Sequence, residues 1–356
     1  MRLEQLTFTR FLAAISIVVF HYGKNVFPFS HEAIGFLFQQ ANIGVSYFFI
    51  LSGFVMMIAY NDKDKIDFLD YMKRRFARIY PVFFLAIIVL LIYFVILGKP
   101  IDYKGLILNI TIVQSWIPGY ALSFNGPGWS LAVEMFFYLS FPLLFNHFYK
   151  KYSYKKLIVP ILIFFIGSQI ALHFMRYSYF YNGFPSKSHD LTFYFPLMHL
   201  SEFLIGNLAG MFFLKGIKVR NYDLPIIILI VFVSVLLKMN IGINYHNGML
   251  AFVFIPMIIL ISANNGFVTR ITNCKALVFL GEISYGIYIL QKPVYSWVNG
   301  IMKYLNIDNS FVIFYTALSI LVIFSAISYE FFEIPLRRLI NKKRITICIS
   351  NSGKSA

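Results

Sequence analysis

A chain of 356 residues that is 59% hydrophobic, 19% aromatic and only 13% charged has too little polar cover for a soluble globule; it predicts a helical bundle embedded in a bilayer. The formal charge of +16 does not point to nucleic acid. The basic residues collect between apolar runs and form no recognition motif, so membrane orientation and anionic headgroups account for them. Cys274 and Cys348 show neither metal-ligand spacing nor a reason to form a disulfide.

Ten apolar runs follow in chain order: 6–27, 42–60, 81–97, 129–148, 157–175, 197–214, 224–239, 248–262, 277–298 and 311–331. The expected fold class is all-α, a polytopic membrane bundle of about ten transmembrane helices with both termini cytoplasmic. The first run holds His21 and Tyr22 and lacks a small-residue cleavage site, so it reads as a retained helix rather than a removed signal. With the N-terminus inside, 23 of the 31 Lys and Arg fall in cytoplasmic segments, against 8 elsewhere. Residues 1–340 read as one membrane domain and 341–356 as a short basic cytoplasmic tail. An odd span count would put Arg337, Arg338, Lys342, Lys343 and Arg344 outside. Residues 102–114 suit a short interfacial helix, and Asn125-Gly126-Pro127-Gly128 is turn chemistry that opens the fourth run. No internal repeat and no separate soluble domain are evident, so a stand-alone membrane unit is expected.

Arg10 and His21 share the first run. Eleven residues make almost a whole number of turns, so both side chains occupy one face, ~16 Å apart along the axis. Ionisable groups in a membrane helix are costly and usually functional. His21 is the candidate general base, because an imidazole titrates near neutral pH; the alternative is a histidine bonded to a neighbouring helix. Glu134 lies as far from the outer end of the fourth run as His21 does from that of the first. A carboxylate at matching depth would orient His21 as in a triad, or would be a buried acid with some other partner. Asn42, Ser46, Trp129, Glu202 and Gln291 are expected to line an outward-facing substrate pocket, with plain helix–helix hydrogen bonding as the alternative for each polar one. Arg75 and Arg78, at i and i+3, share a helix face on the cytoplasmic side. With Arg10 they suit phosphate oxygens, or else serve only topology and lipid contact. Gly44, Gly53 and Gly281 read as close-packing positions. There is no phosphate-binding glycine loop, no His-Glu-x-x-His and no Cys-x-x-Cys, so no metal site is expected.

These residues carry a family resemblance. Thr7–Tyr22, with a basic residue, ten others and then histidine, resembles the first-helix signature of the membrane acyltransferase type 3 family, which includes bacterial O-antigen and exopolysaccharide O-acetylases. Residues 44–54 are similar to its second-helix motif. Arg75-x-x-Arg78-Ile79-Tyr80-Pro81 resembles its cytoplasmic arginine motif, and Trp129-Ser130-Leu131-x-x-Glu134-x-Phe136-x-Tyr138 its aromatic-acid motif. Residues 284–293 and Ser328-Tyr329-Glu330-x-x-Glu333-x-Pro335 resemble its last two helices. The motifs occur in order over nearly the whole chain. Ser46 stands where many members have an acid, and Gln291 where many have histidine.

The resemblance implies transfer of an acyl group, usually acetyl, from cytoplasmic acetyl-CoA to a sugar hydroxyl of a lipid-linked or surface glycan at the bacterial inner membrane. It implies an essential histidine at His21 and service to the acyl donor at Arg10, Arg75 and Arg78. Acetyl-CoA enters as co-substrate, with no bound cofactor; the glycan acceptor and membrane lipids are the other partners. Two rivals come from different classes. A proton-coupled transporter of a polar or anionic solute would use His21, Glu134 and Glu202 as a relay, but the chain shows neither an inverted repeat nor paired broken helices. A membrane sensor or scaffold would need no histidine and carboxylate at matching depth.

Overall fold

An apolar run in lipid must satisfy its own backbone hydrogen bonds, and in a single strip of chain only a helix does so. The computed structural model describes residues 4–239 and 242–341. The tail from 342 onward, with Lys342, Lys343, Arg344 and Cys348, lies outside them. Among the described residues the helices are α1 (Gln5–Val18), α2 (Glu32–Gln39), α3 (Ile43–Tyr60), α4 (Phe68–Ile96), α5 (Tyr103–Ile110), α6 (Trp129–Leu144), α7 (Tyr154–Tyr177) and α8 (Lys187–Phe193). They continue with α9 (Leu200–Phe213), α10 (Asp223–Lys238), α11 (Ala251–Ala263), α12 (Phe267–Thr272), α13 (Lys275–Tyr304), α14 (Ser310–Ser328) and α15 (Ile334–Asn341). Strand pairing among these residues is confined to a single bridge between Arg220 and Asn264. Side-chain caps start several helices: Asp67 accepts from the Asp70 N–H, Asp102 from Gly105, and Asn309 from Phe311 and Val312.

The fold is the expected all-α bundle, but the span count is lower than expected. Among the described residues, six helical stretches are long and apolar enough to cross a membrane: Gln5–Gly23, Ile43–Tyr60, Phe68–Ile96, Gly126–Tyr149, Tyr154–Tyr177 and Ser310–Asn341. The other four runs fall short for identifiable reasons. The 197–214 run is broken by a 3₁₀ turn at Pro196–His199, leaving α9 with 14 residues. Helices α10 and α11 have 16 and 13 residues, below the roughly 20 needed. α13 is 30 residues long but carries Lys275, Glu282, Lys292 and Lys303.

Two close approaches organise the bundle. α3 and α9 meet through glycines. A Cβ on Gly53 would lie 2.2 Å from the Phe203 carbonyl oxygen, and one on Gly206 would lie 2.1 Å from that of Ile50. The second approach sets a register. A Cβ on Gly281 of α13 would stand 2.1 Å from the Thr7 carbonyl oxygen of α1. Further along, the Tyr22 ring stacks on Tyr295 at 3.9 Å. The helices therefore run parallel, with residue 7 level with 281 and residue 22 level with 295. α6 enters from the other direction. The Asn125 amide donates to the Ile289 carbonyl (3.2 Å), and the Ser130 hydroxyl to Tyr288 Oη (2.9 Å).

Among the described residues, three π-helical turns interrupt the bundle, at Val19–Gly23, Phe145–Tyr149 and Tyr329–Glu333. Such widened turns recur at functional sites. The first holds His21 and the last holds Glu333.

Because the neighbours of Gly206 are backbone atoms, a side chain there must separate α3 from α9. Gly206→Val should lower stability by roughly 3–5 kcal/mol, at the severe end for single substitutions. Gly167→Ala, inside α7 with no atom within 4 Å of the new Cβ, should keep stability or raise it by up to about 1 kcal/mol. Thermal unfolding in detergent checks both.

Candidate active site

Between α1, α3, α4, α6, α13 and the Tyr329–Glu333 turn lies a cavity of about 410 Å³. Arg10, Arg75, Arg78 and Arg337 line it, together with Glu134, Glu282 and Glu333. The guanidiniums are not equivalent. Arg75 donates to Tyr60 Oη (3.0 Å) and sits over the rings of Tyr60, Tyr71 and Tyr138, 5.4–5.7 Å from their centroids. Each such face contributes about 0.5–2 kcal/mol, so Arg75 is caged. Arg10 and Arg78 make no hydrogen bond or ion pair among the described residues. Glu134 is held by a short hydrogen bond from the Tyr138 hydroxyl one turn away, and its field reaches Arg10.

The expected pairing of Glu134 with His21 is not made. Glu134 enters no hydrogen bond with the imidazole, and its electrostatic neighbours include Tyr285 and Tyr288 of α13. The α1–α13 register puts His21 level with residue 294. That is about nine residues, or ~13 Å, from the level of Tyr285. Counting from the ends of the apolar runs misjudged both depths. The first helical stretch ends at Gly23, not at residue 27. The Asn125–Gly128 turn is itself inside the bundle, with Asn125 fully buried, so α6 starts deep. Glu134 therefore shares the level of Arg10. His21 is exposed, flanked by the rings of Phe20 (5.1 Å) and Tyr22 (6.1 Å), and does not line the cavity.

Nor do the expected substrate residues form one pocket with it. Four of them meet in a separate polar layer. Trp129 packs on the His199 ring at 5.3 Å, and His199 Nδ1 lies 2.6 Å from Glu202 Oε2. Ser46 Oγ accepts from the Gly248 N–H at 3.3 Å, and the Asn42 amide donates to His246 Nε2. Phe49, which also lines the cavity, is the wall between: its ring meets Trp129 and His199. Gln291 stands apart, fully buried on α13, with its amide on the Tyr288 carbonyl at 2.7 Å.

His199 and His246 were not among the residues singled out from the sequence. The signal for His199 was its position three residues before Glu202, one helical turn. No local signal marks His246, which a loop brings to Asn42. His199 Nε2 lies 2.9 Å from the Phe193 carbonyl oxygen. That oxygen only accepts, so Nε2 carries hydrogen and the remaining proton lies between Nδ1 and Glu202. His199 is thus a strut, not a free base. Among the described residues no group of three His, Cys, Asp or Glu could hold a metal ion.

A helical bundle with several membrane-length helices around an arginine-lined cavity defines a multi-pass membrane protein. A family model described as an acyltransferase domain matches residues 3–330, and the chain belongs to that acyltransferase 3 family. Over 362 residues it is 25% identical to the peptidoglycan O-acetyltransferase OatA of Listeria monocytogenes, covering 92% of this chain and 55% of that protein. It is 24% identical over 360 residues to the O-acetyltransferase OatA of Staphylococcus aureus, covering 92% and 56%. Over 156 residues it is 34% identical to the acyltransferase MdmB of Streptomyces mycarofaciens, covering 41% and 40%. The chain thus spans about half the length of the curated relatives it matches. No solved structure matches it.

His199→Ala would leave the fully buried Glu202 without its hydrogen-bond partner, a loss of roughly 1–3 kcal/mol; replacing both by apolar residues should cost less. Unfolding midpoints of the single and double variants check this. His246, in the loop before α11, is pushed down to about 4 by burial first, then by the positive fields of His199, His189 and Arg176. Its folded pKa lies below the unfolded value of about 6.5, so the neutral form stabilises the fold. That contribution is complete above pH ~6.5 and is lost as pH falls toward 4. The melting temperature should therefore drop between pH 7 and 5, and drop less in His246→Gln; identical slopes would exclude His246.

Proposed function

We propose that this chain is a membrane O-acyltransferase that moves an acetyl group from cytoplasmic acetyl-CoA to a sugar hydroxyl of a cell-surface or lipid-linked glycan. One observation carries the reading: Arg10 and Arg78 face a cavity without any hydrogen-bond or ion-pair partner among the described residues. Arg10 is half-buried and Arg78 exposed on the cavity face, so both guanidiniums are open to an incoming anion. The phosphates of the donor are that anion, and guanidinium forks match their oxygens. The family membership supplies the reaction class, and the O-acetyltransferase names of the relatives support acetyl transfer to oxygen.

The excess of Lys and Arg in the segments at the arginine end orients that end, and both termini, to the cytoplasm of a bacterial inner membrane. The donor docks with its phosphates on Arg10, Arg78 and the caged Arg75. Glu134, held by Tyr138, sets the positions of these guanidiniums instead of orienting His21. The thioester arm runs past Tyr285 and Tyr288. The cavity lining ends on α13 at Ile289, about five residues or ~8 Å short of the level of His21, and the arm crosses that distance. The acceptor hydroxyl comes from the opposite side. His21 takes its proton, the oxygen attacks the thioester carbonyl, the new C–O bond forms, and the C–S bond breaks to release the thiol of CoA. Transient acetyl-His21 followed by attack of the hydroxyl is the two-step version of the same transfer.

Purified protein given acetyl-labelled donor and glycan should transfer the label. His21→Ala should abolish transfer at unchanged protein level; full activity in that variant would remove His21 from the mechanism. Arg78→Ala should raise the donor KM about tenfold or more with little change in kcat, as expected for a lost charged hydrogen bond of ~1.5–3 kcal/mol. An unchanged donor dependence would leave Arg78 a topological role only.

A further inference from the structure

A cavity built only to hold phosphates has no use for carboxylates, since like charges facing a ligand repel it. Yet Glu333 lines the same cavity as the arginines. Its Oε1 is buried without a hydrogen-bond partner, close to α13, where a Cβ on Gly286 would lie 3.5 Å away. The π turn Tyr329–Glu333 places it there. Three residues apart on a regular helix, Glu330 and Glu333 would share a face; the widened turn leaves Glu330 exposed and turns Glu333 inward. One turn further, Arg337 on α15 also lines the cavity, and its field reaches Glu333.

An orphaned carboxylate oxygen selects a group that brings O–H or N–H hydrogens. Beside a guanidinium, the matching ligand carries such hydrogens next to a phosphate. A nucleotide has this combination, in its ribose hydroxyls and base amino group, whereas a bare phosphate ester does not. We propose that Glu333 and Arg337 bind the nucleotide end of the donor: Glu333 accepts a hydrogen bond from the ribose or the base, and Arg337 pairs with a phosphate. Glu333 thereby disfavours bare phosphate and pyrophosphate, which offer no such hydrogen. This deepens the donor reading above and rests on it.

The test compares two thioester donors in the purified full chain, acetyl-CoA and acetyl-phosphopantetheine, which lacks the nucleotide. Wild type should prefer acetyl-CoA. Glu333→Ala and Arg337→Ala should each lower kcat/KM for acetyl-CoA about tenfold, and for acetyl-phosphopantetheine by less than about twofold; Arg337→Lys should recover part of the loss. Because each variant is its own control, a fall caused by misfolding would strike both donors equally, and such a parallel fall overturns the proposal. A second measurement needs no variant: adenosine 3′,5′-bisphosphate, a nucleotide without the thioester arm, should inhibit wild type competitively against acetyl-CoA. Absence of inhibition, or a wild type indifferent to the nucleotide, overturns the proposal while leaving acyl transfer intact. A protein that uses neither donor overturns the proposed function instead.

Discussion

The register of α1 against α13 is the constraint on which the rest of the molecule depends. Gly281 admits the Thr7 carbonyl at one end, and Tyr22 stacks on Tyr295 at the other. Between these clamps neither helix can slide. Arg10 is therefore held at the level of the cavity and His21 is held well beyond it. α6 hangs on the same helix through Asn125 and Ser130, which assigns Glu134 to the arginine level. The distribution of charge along the bundle thus follows from two contacts that carry no charge.

A second consequence concerns the arginines. Arg75 spends its guanidinium on Tyr60 and three aromatic faces, so its position is nearly independent of any ligand. Arg75 is thus held in place by its aromatic neighbours although its Nε keeps no partner, whereas Arg10 and Arg78 face the cavity without such a cage.

The polar layer around His199 and Glu202 plays a different part. Its histidine is committed at both nitrogens, and Phe49 closes it off from the cavity. Sequence reasoning placed Asn42, Ser46, Trp129 and Glu202 together, and they do form one layer. It also placed them with His21, and nothing in the structure joins the two. Ser46 and Asn42 are tied to backbone and side chain of the 244–250 loop, the helix-connecting role that was the plainer alternative for each.

The sequence by itself determined the class of this protein: the apolar periodicity demanded helices in lipid, the glycines of α3 and α13 announced close packing, and the ordered motifs named the family. It also singled out ionisable residues in apolar runs as candidates, because a charge there is costly. Only the tertiary structure decided which of them meet. Depth counted from the end of an apolar run assumes that each run begins at the membrane surface, whereas Asn125–Gly128 begins inside the bundle and the Val19–Gly23 π turn ends a helix before its run is over. Glu333 could be quoted from a motif, but not aimed, since a widened turn shifts the facing of every residue after it. Lateral contact between helices distant in sequence is set by packing, and no count along one chain segment contains it.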